Sequence, residues 1–439
     1  MPINLNLIAN YLIILLPAFL ISGAFLSDLS VVLIDIIFLY ILFKEKNFKF
    51  LNNNLFKFLL FFNFYISCRS LFADDLFFSL KSSLTYIRFS IFIFAIKFFL
   101  ERDKTLLGKF SKILIFVIAI LFSDSLFQYV NGSNFLGFHI ENPDKLNSLF
   151  GDEGVMGSYL VRLLPLFLVC ILTLKQNNYL IIFTIFIFGL FIFMAGSRAS
   201  IALYILFFIL FFFIFTKYRK LIFYYILIVS TVLILLSTAF NFKKKNFEQF
   251  EIIEESSELI FEKNEIKNKI TWTIYYNLID PVNRIFFHNL KDEKIIIFTE
   301  VYDSHYRTAF KMFKDNKYFG VGNKMFRKLC EDEKYYVNKF SCSTHPHNLY
   351  LQILAENGII GFIFLLIIFI YSFFNILKEF FYRNFKKIEK IKDRNLILLL
   401  GIFINFWPIV PFGNFYNNWL SIVIYLPIGF LLYFRSKND

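Results

Sequence analysis

Residues 179–216 have the sequence YLIIFTIFIFGLFIFMAGSRASIALYILFFILFFFIFT, and this stretch decides the fold class. It contains two apolar runs, 179–195 and 197–216, each close to the roughly 20 residues that an α-helix needs to cross a lipid bilayer. Gly196 and Ser197 interrupt the apolar sequence between the two runs. The stretch therefore predicts two membrane-spanning helices in succession.

The composition of the whole chain is also that of a membrane protein. Of its 439 residues, 58% are hydrophobic and 18% are charged, and the mean hydropathy is +0.61. Soluble domains have about 45–50% apolar and about 25% charged residues. These figures exclude a disordered chain, a collagen-like repeat and a disulfide-rich secreted scaffold. We predict an all-α polytopic membrane protein.

Apolar windows of spanning length recur along the chain and predict about twelve transmembrane helices. The windows lie at residues 5–24, 29–43, 55–71, 79–100, 111–130, 156–174, 179–195, 197–216, 220–240, 349–376, 396–411 and 417–434. The connection 241–346 is far longer than the others and is predicted to form a loop domain of its own. It separates nine helices within residues 1–240 from three helices within residues 347–439.

The net charge of +13 follows the loops between the predicted helices. Basic residues crowd every second connection, as in 44–57 and 378–394, whereas the alternate connections are acidic or mixed. By the positive-inside rule, the basic loops and both termini lie in the cytoplasm, and the long loop lies outside it. Because the charge is explained by topology, we expect membrane lipid and no nucleic acid as partners.

Arg198 is the first candidate for binding an anion. Ser197 suits the N-cap of the helix that follows, which places Arg198 in the first helical turn. A cation at the positive end of a helix dipole is unfavourable unless an anion lies nearby, and a phosphate would satisfy both the arginine and the free backbone N–H groups. The alternative is an arginine that reaches towards the lipid headgroups.

A second candidate site lies at the end of the long loop, in residues 343–361, STHPHNLYLQILAENGIIG. Pro346 suits the first position of a helix, which would place His347 and Asn348 in its first turn. A helix N-terminus favours a neutral imidazole, the form that a general base requires. Asn348 is followed by Gln352 and Glu356 at intervals of four residues, which predicts a polar stripe on an apolar helix. His345, two residues before His347, is an alternative base.

Together these motifs resemble the O-antigen ligase family, which also contains O-antigen polymerases. The resemblance covers roughly residues 120–370 and combines Gly196-Ser197-Arg198, a long external loop, Arg307 ahead of Gly320-Val321-Gly322, and the His347-Asn348 segment with Glu356, Gly358 and Gly361. Taken alone, Arg307 is equally well an exposed arginine.

The resemblance implies a glycosyltransferase with a GT-C-like helical fold in the bacterial inner membrane, its active site facing the periplasm. Such enzymes transfer a glycan from an undecaprenyl-diphosphate-linked donor to a sugar hydroxyl, and they need no metal, nucleotide sugar or other cofactor. By this resemblance, Arg198 and Arg307 would hold the diphosphate leaving group and His347 would orient or deprotonate the acceptor hydroxyl. Asn348 and Glu356 would support that site.

Two other arginines, Arg88 and Arg162, lie inside predicted spans and could contact phosphate or pair with a carboxylate. Two cysteines, Cys330 and Cys342, fall in the external loop, a compartment that permits disulfides, and we predict that they are bonded.

The leading functional prediction is an O-antigen ligase, which joins a lipid-carried glycan to lipid A–core. The first alternative is the polymerase of the same superfamily, which extends the glycan on its carrier. A transporter of lipid-linked sugar is a third interpretation, because buried arginines in discontinuous helices would suit it too.

Overall fold

The computed structural model describes residues 4–140, 145–174, 177–227 and 299–437. Within these ranges, 76% of the residues are helical and no β-strand is present. The long helices are α1 (Leu5–Ser22), α2 (Ala24–Glu45), α3 (Asn54–Ser70), α4 (Leu76–Arg102), α5 (Leu106–Asn131), α6 (Met156–Leu174), α7 (Asn178–Met194), α8 (Arg198–Ile214), α9 (Glu300–Asp315), α10 (Leu349–Phe381), α11 (Asp393–Asn405) and α12 (Asn418–Ser436).

A helix overlaps every predicted span that falls in the described ranges, which confirms the all-α polytopic class, although the span predicted at 396–411 is helical only as far as Asn405. By length and composition, seven helices of the described part can cross a membrane, or up to eight if one bent pair is a single span. That pair is Arg198–Ile214 and Thr216–Leu227, which meet at 96°. The predicted count of twelve and the GT-C-like architecture therefore remain predictions, and most of the span at 220–240 lies outside the described residues.

Small residues lie where helices approach one another most closely. A Cβ atom added at Gly429 of α12 would lie 2.7 Å from Cβ of Ile96 on α4. One added at Gly401 of α11 would lie 2.7 Å from Cγ of Pro165 on α6. In a membrane, such close backbone approach supplies the van der Waals contact that holds helices together. The second of these contacts places α6 and α11 side by side.

The part of the long loop that precedes α10 is described from residue 299 onwards. It contains α9, a one-turn helix at Phe326–Leu329, and a disulfide between Cys330 and Cys342. The other predicted loop residues, 241–298, lie outside the described ranges. The division of the chain at residues 241 and 346 therefore stays a prediction.

Candidate functional site

His347 lies immediately before α10, among the rings of three other side chains. Its ring centroid is 4.1 Å from that of His345, 5.2 Å from that of Tyr302 and 5.3 Å from that of His305. The backbone N–H of Phe412 donates to its carbonyl oxygen at 2.9 Å. Neither ring nitrogen of His347 makes a hydrogen bond to another described residue. The imidazole is thus held by packing while both nitrogens stay available.

The surroundings of His347 keep its imidazole neutral. Burial, and then the charge of His305, lower the pKa of His347 to about 4. At neutral pH the ring therefore carries a free lone pair, which a general base needs. The backbone of His347 has a φ of 56°, a left-handed conformation that is uncommon for residues other than glycine and concentrates at functional sites.

His345 is held at both of its ring nitrogens. Nε2 lies 3.2 Å from the carbonyl oxygen of Phe412, and Nδ1 lies 2.9 Å from the hydroxyl of Thr344. Because a carbonyl oxygen only accepts hydrogen bonds, Nε2 carries the proton and Nδ1 accepts from the threonine. Burial, followed by the charge of His347, lowers the pKa of His345 to about 3. This arrangement favours His347 over His345 as the candidate base.

The predicted start of the helix was wrong by three residues. Pro346 was expected at the first helical position, with His347 and Asn348 in the first turn, but α10 begins at Leu349. Asn348 is the N-cap: its Oδ1 accepts from the N–H groups of Tyr350 and Leu351, both at 3.0 Å. Its Nδ2 donates to the carbonyl of Pro408 at 2.9 Å. An asparagine side chain caps two N–H groups, and the left-handed backbone of His347 cannot be helical.

The predicted polar stripe is buried, and it ties two segments from outside α10 to that helix. Nε2 of Gln352 donates to Oε2 of Glu356 at 3.1 Å and to Oδ1 of Asn414 at 3.0 Å. Oε1 of Gln352 accepts from the N–H of Phe415 at 2.9 Å, and Oε1 of Glu356 accepts from that of Phe326 at 3.2 Å. Glu356 thus contacts the loop on one side of the site and Gln352 contacts the loop on the other.

The segment with Gly320 and Gly322 and the segment with Gly358 contact each other through their backbones. Helix α10 is broken at Gly358, where φ is 63°, and residues 317–322 lie against the break. The N–H of Gly322 donates to the carbonyl of Glu356 at 2.8 Å, and that of Ile359 donates to the carbonyl of Lys317 at 2.9 Å. A Cβ atom added at Gly320 would lie 2.6 Å from the carbonyl oxygen of Glu356. Glycine is required here because no side chain fits between the two backbones.

The structure does not bring Arg307 to the side of α9 that faces His347. Arg307 pairs with Asp303 on α9, Nε to Oδ2 at 2.7 Å, and 54% of its side chain is exposed. His305, which faces His347, is two residues away, and two residues span about 200° around a helix. Arg307 and Asp303 therefore lie on the face of α9 opposite to His305.

Arg198 lies at the beginning of α8, as the sequence predicts. Oγ of Ser197 accepts from the N–H of Ser200 at 3.4 Å, which makes Ser197 the N-cap. The Arg198 side chain is exposed. Arg198 therefore lies at a helix N-terminus, the kind of place that binds anions. It is on a different helix from Arg307.

The two arginines inside predicted spans have different environments. Arg88 pairs with Asp28, Nη2 to Oδ1 at 2.9 Å, which is the carboxylate pairing considered from the sequence. Arg162 is 3% exposed, donates to Ser158 and Asn405, and has no carboxylate within 4 Å among the described residues.

The guanidinium of Arg162 lies 4.8 Å from the ring centroid of Phe412. Phe412 is the residue whose backbone contacts both His345 and His347. Arg162 therefore contacts the histidine segment indirectly, through Phe412. Sequence reasoning missed Phe412 because one phenylalanine has no signal in a chain that contains 66 of them.

Sequence reasoning also missed Tyr302 and His305 as neighbours of His347. Their spacing of three residues places both on one face of a helix, which was the available signal. Although three imidazoles lie close together, no group of three or more His, Cys, Asp or Glu residues in the described part of the chain is arranged to hold a metal ion.

The chain was compared with known proteins and protein families. Residues 183–366 match the family model described as O-Antigen ligase, and this range contains Arg198, Arg307, His347 and Glu356. No curated protein matches the chain. The match lies within the range of the resemblance seen in the motifs and agrees with it. Residues 183–366 of this chain are therefore a domain of the O-antigen ligase family.

Proposed function

We propose that this protein is an O-antigen ligase, which transfers a glycan from undecaprenyl diphosphate to lipid A–core. The family match supports the ligase and polymerase superfamily as a whole. The observation that carries the proposal further is the state of His347. Its imidazole is neutral and held in place, and its nitrogens make no hydrogen bond within the described residues. A sugar hydroxyl is the kind of group that such a base can orient and deprotonate.

In the proposed reaction, a hydroxyl of the acceptor sugar donates its hydrogen bond to a ring nitrogen of His347. The hydroxyl oxygen attacks the anomeric carbon of the donor, and the bond between that carbon and the diphosphate oxygen breaks. His347 takes the hydroxyl proton, and the diphosphate leaves with the electron pair. Acid–base assistance of this kind accelerates reactions by about 10²–10⁴-fold.

Negative charge develops on the diphosphate as it leaves, and Arg198 and Arg307 are proposed to stabilise it. Arg307 faces away from His347 in this structure, so this role requires α9 to turn and Arg307 to exchange its partner Asp303 for a phosphate oxygen, which an exposed side chain can do at small cost. A bound diphosphate would also oppose the effects of burial and of His305 on His347. The pKa of His347 should therefore be higher in the complex than in the free enzyme.

The proposal places the active site at the periplasmic face of the inner membrane, with both termini in the cytoplasm. The basic connections that alternate with acidic ones support this orientation. It also assigns a GT-C-like architecture and metal-independent chemistry, for which a donor already activated by its diphosphate suffices.

The test uses the purified full-length protein in liposomes with a lipid-linked glycan donor and lipid A–core. We expect wild-type protein to attach glycan to lipid A–core, and His347→Gln to lower the rate by about 10²–10⁴-fold. His139→Gln is the matched control, because His139 is exposed and is not among the contacts of His347. Normal transfer by His347→Gln would contradict the role of this residue.

The identity of the product separates the alternatives. Glycan on lipid A–core supports the ligase, whereas longer glycan still on its carrier would support the polymerase. Movement of the donor across the liposome without any new glycosidic bond would refute both enzymes in favour of a transporter.

A further inference from the structure

A cavity of about 540 Å³ lies at the opposite end of the helix bundle from His347. Helix α11 separates the two places, because Asp393 at its beginning lines the cavity and the segment after its end contains Phe412. Its 13 residues span about 20 Å. The end of α6, the turn after α8 and the end of α12 also contribute to the cavity wall. This cavity is therefore separate from the candidate active site.

The cavity has an excess of positive charge. Its charged lining residues are the bases Lys217, Lys392, Arg394 and Lys437 and the acids Glu389 and Asp393. Both acids already contact Arg383, at 3.5 Å and 2.7 Å, and Asp393 also pairs with Lys217.

Two of the bases have no acidic partner among the described residues. Arg394 lies over the ring of Phe434 at 5.7 Å, and Lys437 lies over that of Tyr433 at 4.6 Å. Neither cation has a carboxylate within 4 Å in the parts of the chain that the structure describes. An anion in the cavity would therefore meet two cations that no described acid neutralises.

Two buried polar atoms in the same wall also lack partners. The hydroxyl of Tyr218 and Oδ1 of Asn395 make no well-formed hydrogen bond within the described residues, although Lys217 lies beside the tyrosine ring. The two side chains are 0% and 5% exposed. Buried polar atoms are nearly always hydrogen-bonded, so an unpaired donor and an unpaired acceptor in one wall suit a ligand that carries both functions.

We propose that this cavity binds the headgroup of an anionic phospholipid that also carries hydroxyl groups. The phosphate would lie between Arg394 and Lys437 and accept from the hydroxyl of Tyr218. A headgroup hydroxyl would donate to Oδ1 of Asn395. The beginning of an acyl chain would contact the apolar part of the wall, formed by Leu107, Leu172 and Phe434. Basic pockets between transmembrane helices are suited to such headgroups.

The experiment uses delipidated full-length protein in detergent, to which dioleoyl phosphatidylglycerol or dioleoyl phosphatidylcholine is added. Thermal unfolding and native mass spectrometry measure the stabilisation and the bound lipid. We expect phosphatidylglycerol to stabilise the protein and phosphatidylcholine to do so far less. The double variant Arg394→Gln/Lys437→Gln should bind phosphatidylglycerol roughly 20–30-fold more weakly, about fivefold for each cation. Lys44→Gln/Lys49→Gln is the control for loss of charge, and it should bind normally.

Tyr218→Phe distinguishes a hydroxyl that binds a ligand from a buried hydroxyl that has no hydrogen-bond partner at all. Without lipid, removal of an unpaired buried hydroxyl should leave the protein as stable as the wild type or more so. With phosphatidylglycerol, the same variant should gain less stability than the wild type.

Three results would overturn the proposal: equal stabilisation by both lipids, normal binding by Arg394→Gln/Lys437→Gln, or equal stabilisation by sodium phosphate or glycerol 3-phosphate. The last would assign the cavity to a soluble phosphate compound. None of these outcomes depends on transfer activity, so the proposed enzyme function is tested separately.

Discussion

Gly358→Ala is expected to separate residues 317–322 from α10 and to inactivate the protein. Gly358 has φ 63° and ψ −165°, a conformation that is essentially restricted to glycine. A Cβ atom there would overlap the carbonyl of Tyr318 and lie 2.5 Å from the N–H nitrogen of Phe319. Both neighbours are backbone atoms, so no side-chain rotation can relieve the overlap. Residues 317–322 would have to move away from α10.

The size of the effect follows from what is lost. The backbone strain costs about 1–3 kcal/mol for a residue other than glycine. Separation of the segments also breaks the bonds from Ile359 to Lys317 and from Ile360 to Tyr318, at roughly 0.5–1.5 kcal/mol each. The free energy of unfolding should thus fall by roughly 2–6 kcal/mol, out of the 5–15 kcal/mol typical of native proteins.

The assay is denaturant titration in detergent, followed by glycan transfer in liposomes. Gly108→Ala is the matched control, because Gly108 lies in α5 without a positive φ and a Cβ there meets no atom within 4 Å. We expect this control to unfold like the wild type or at slightly higher denaturant. The reasoning is refuted if Gly358→Ala unfolds with the wild-type midpoint and transfers glycan at the wild-type rate.

Three further predictions concern the histidine segment. The pKa values of His345 and His347 lie below the usual 6.5, so the unfolded state binds more protons than the folded state below that pH. The free energy of unfolding should therefore be highest above pH 6.5 and fall towards pH 3, by up to about 1.4 kcal/mol per pH unit for each histidine. Denaturant unfolding at several pH values measures this. Replacement of Cys330 and Cys342 by serine should lower the free energy of unfolding by about 3 kcal/mol for a separation of 12 residues, which denaturant titration of both proteins checks. Arg162→Leu should lower kcat about 10–100-fold while the KM for the donor changes little, because Arg162 acts through Phe412; steady-state kinetics would contradict this if KM alone changed.

The class of fold and the positions of the helices could be predicted because the length of an apolar run is a local property. Runs such as 79–100 and 417–434 correspond to α4 and α12 without reference to any partner. The beginning of α10 could not be predicted in the same way. Pro346 and Asn348 compete to mark it, and the outcome depends on Pro408 and Phe412, which contact this segment from about 60 residues further along the chain.

The candidate site was predicted in part for the same reason. His347 and Glu356 could be singled out because ionisable residues at the edge of an apolar helix are rare. The neighbours Tyr302, His305 and Phe412 could not be singled out, because their proximity to His347 depends on how α9 and the loop after α11 pack in this region. Because His305 is the residue of α9 that meets His347, Arg307 lies on the opposite face of that helix.

The motifs that define the family resemblance divide into structural and chemical residues. Gly320 and Gly358 allow two backbones to touch, Asn348 caps α10 and donates to the carbonyl of Pro408, and Glu356 accepts from the N–H of Phe326. His347 differs from these four, since its ring nitrogens make no hydrogen bond in the part of the chain that the structure describes. Most of this signature therefore builds a rigid support, and its spacing reflects the docking of the external segment on α10. A substitution among the supporting residues should consequently lower stability and activity together, whereas a substitution of His347 should lower activity alone.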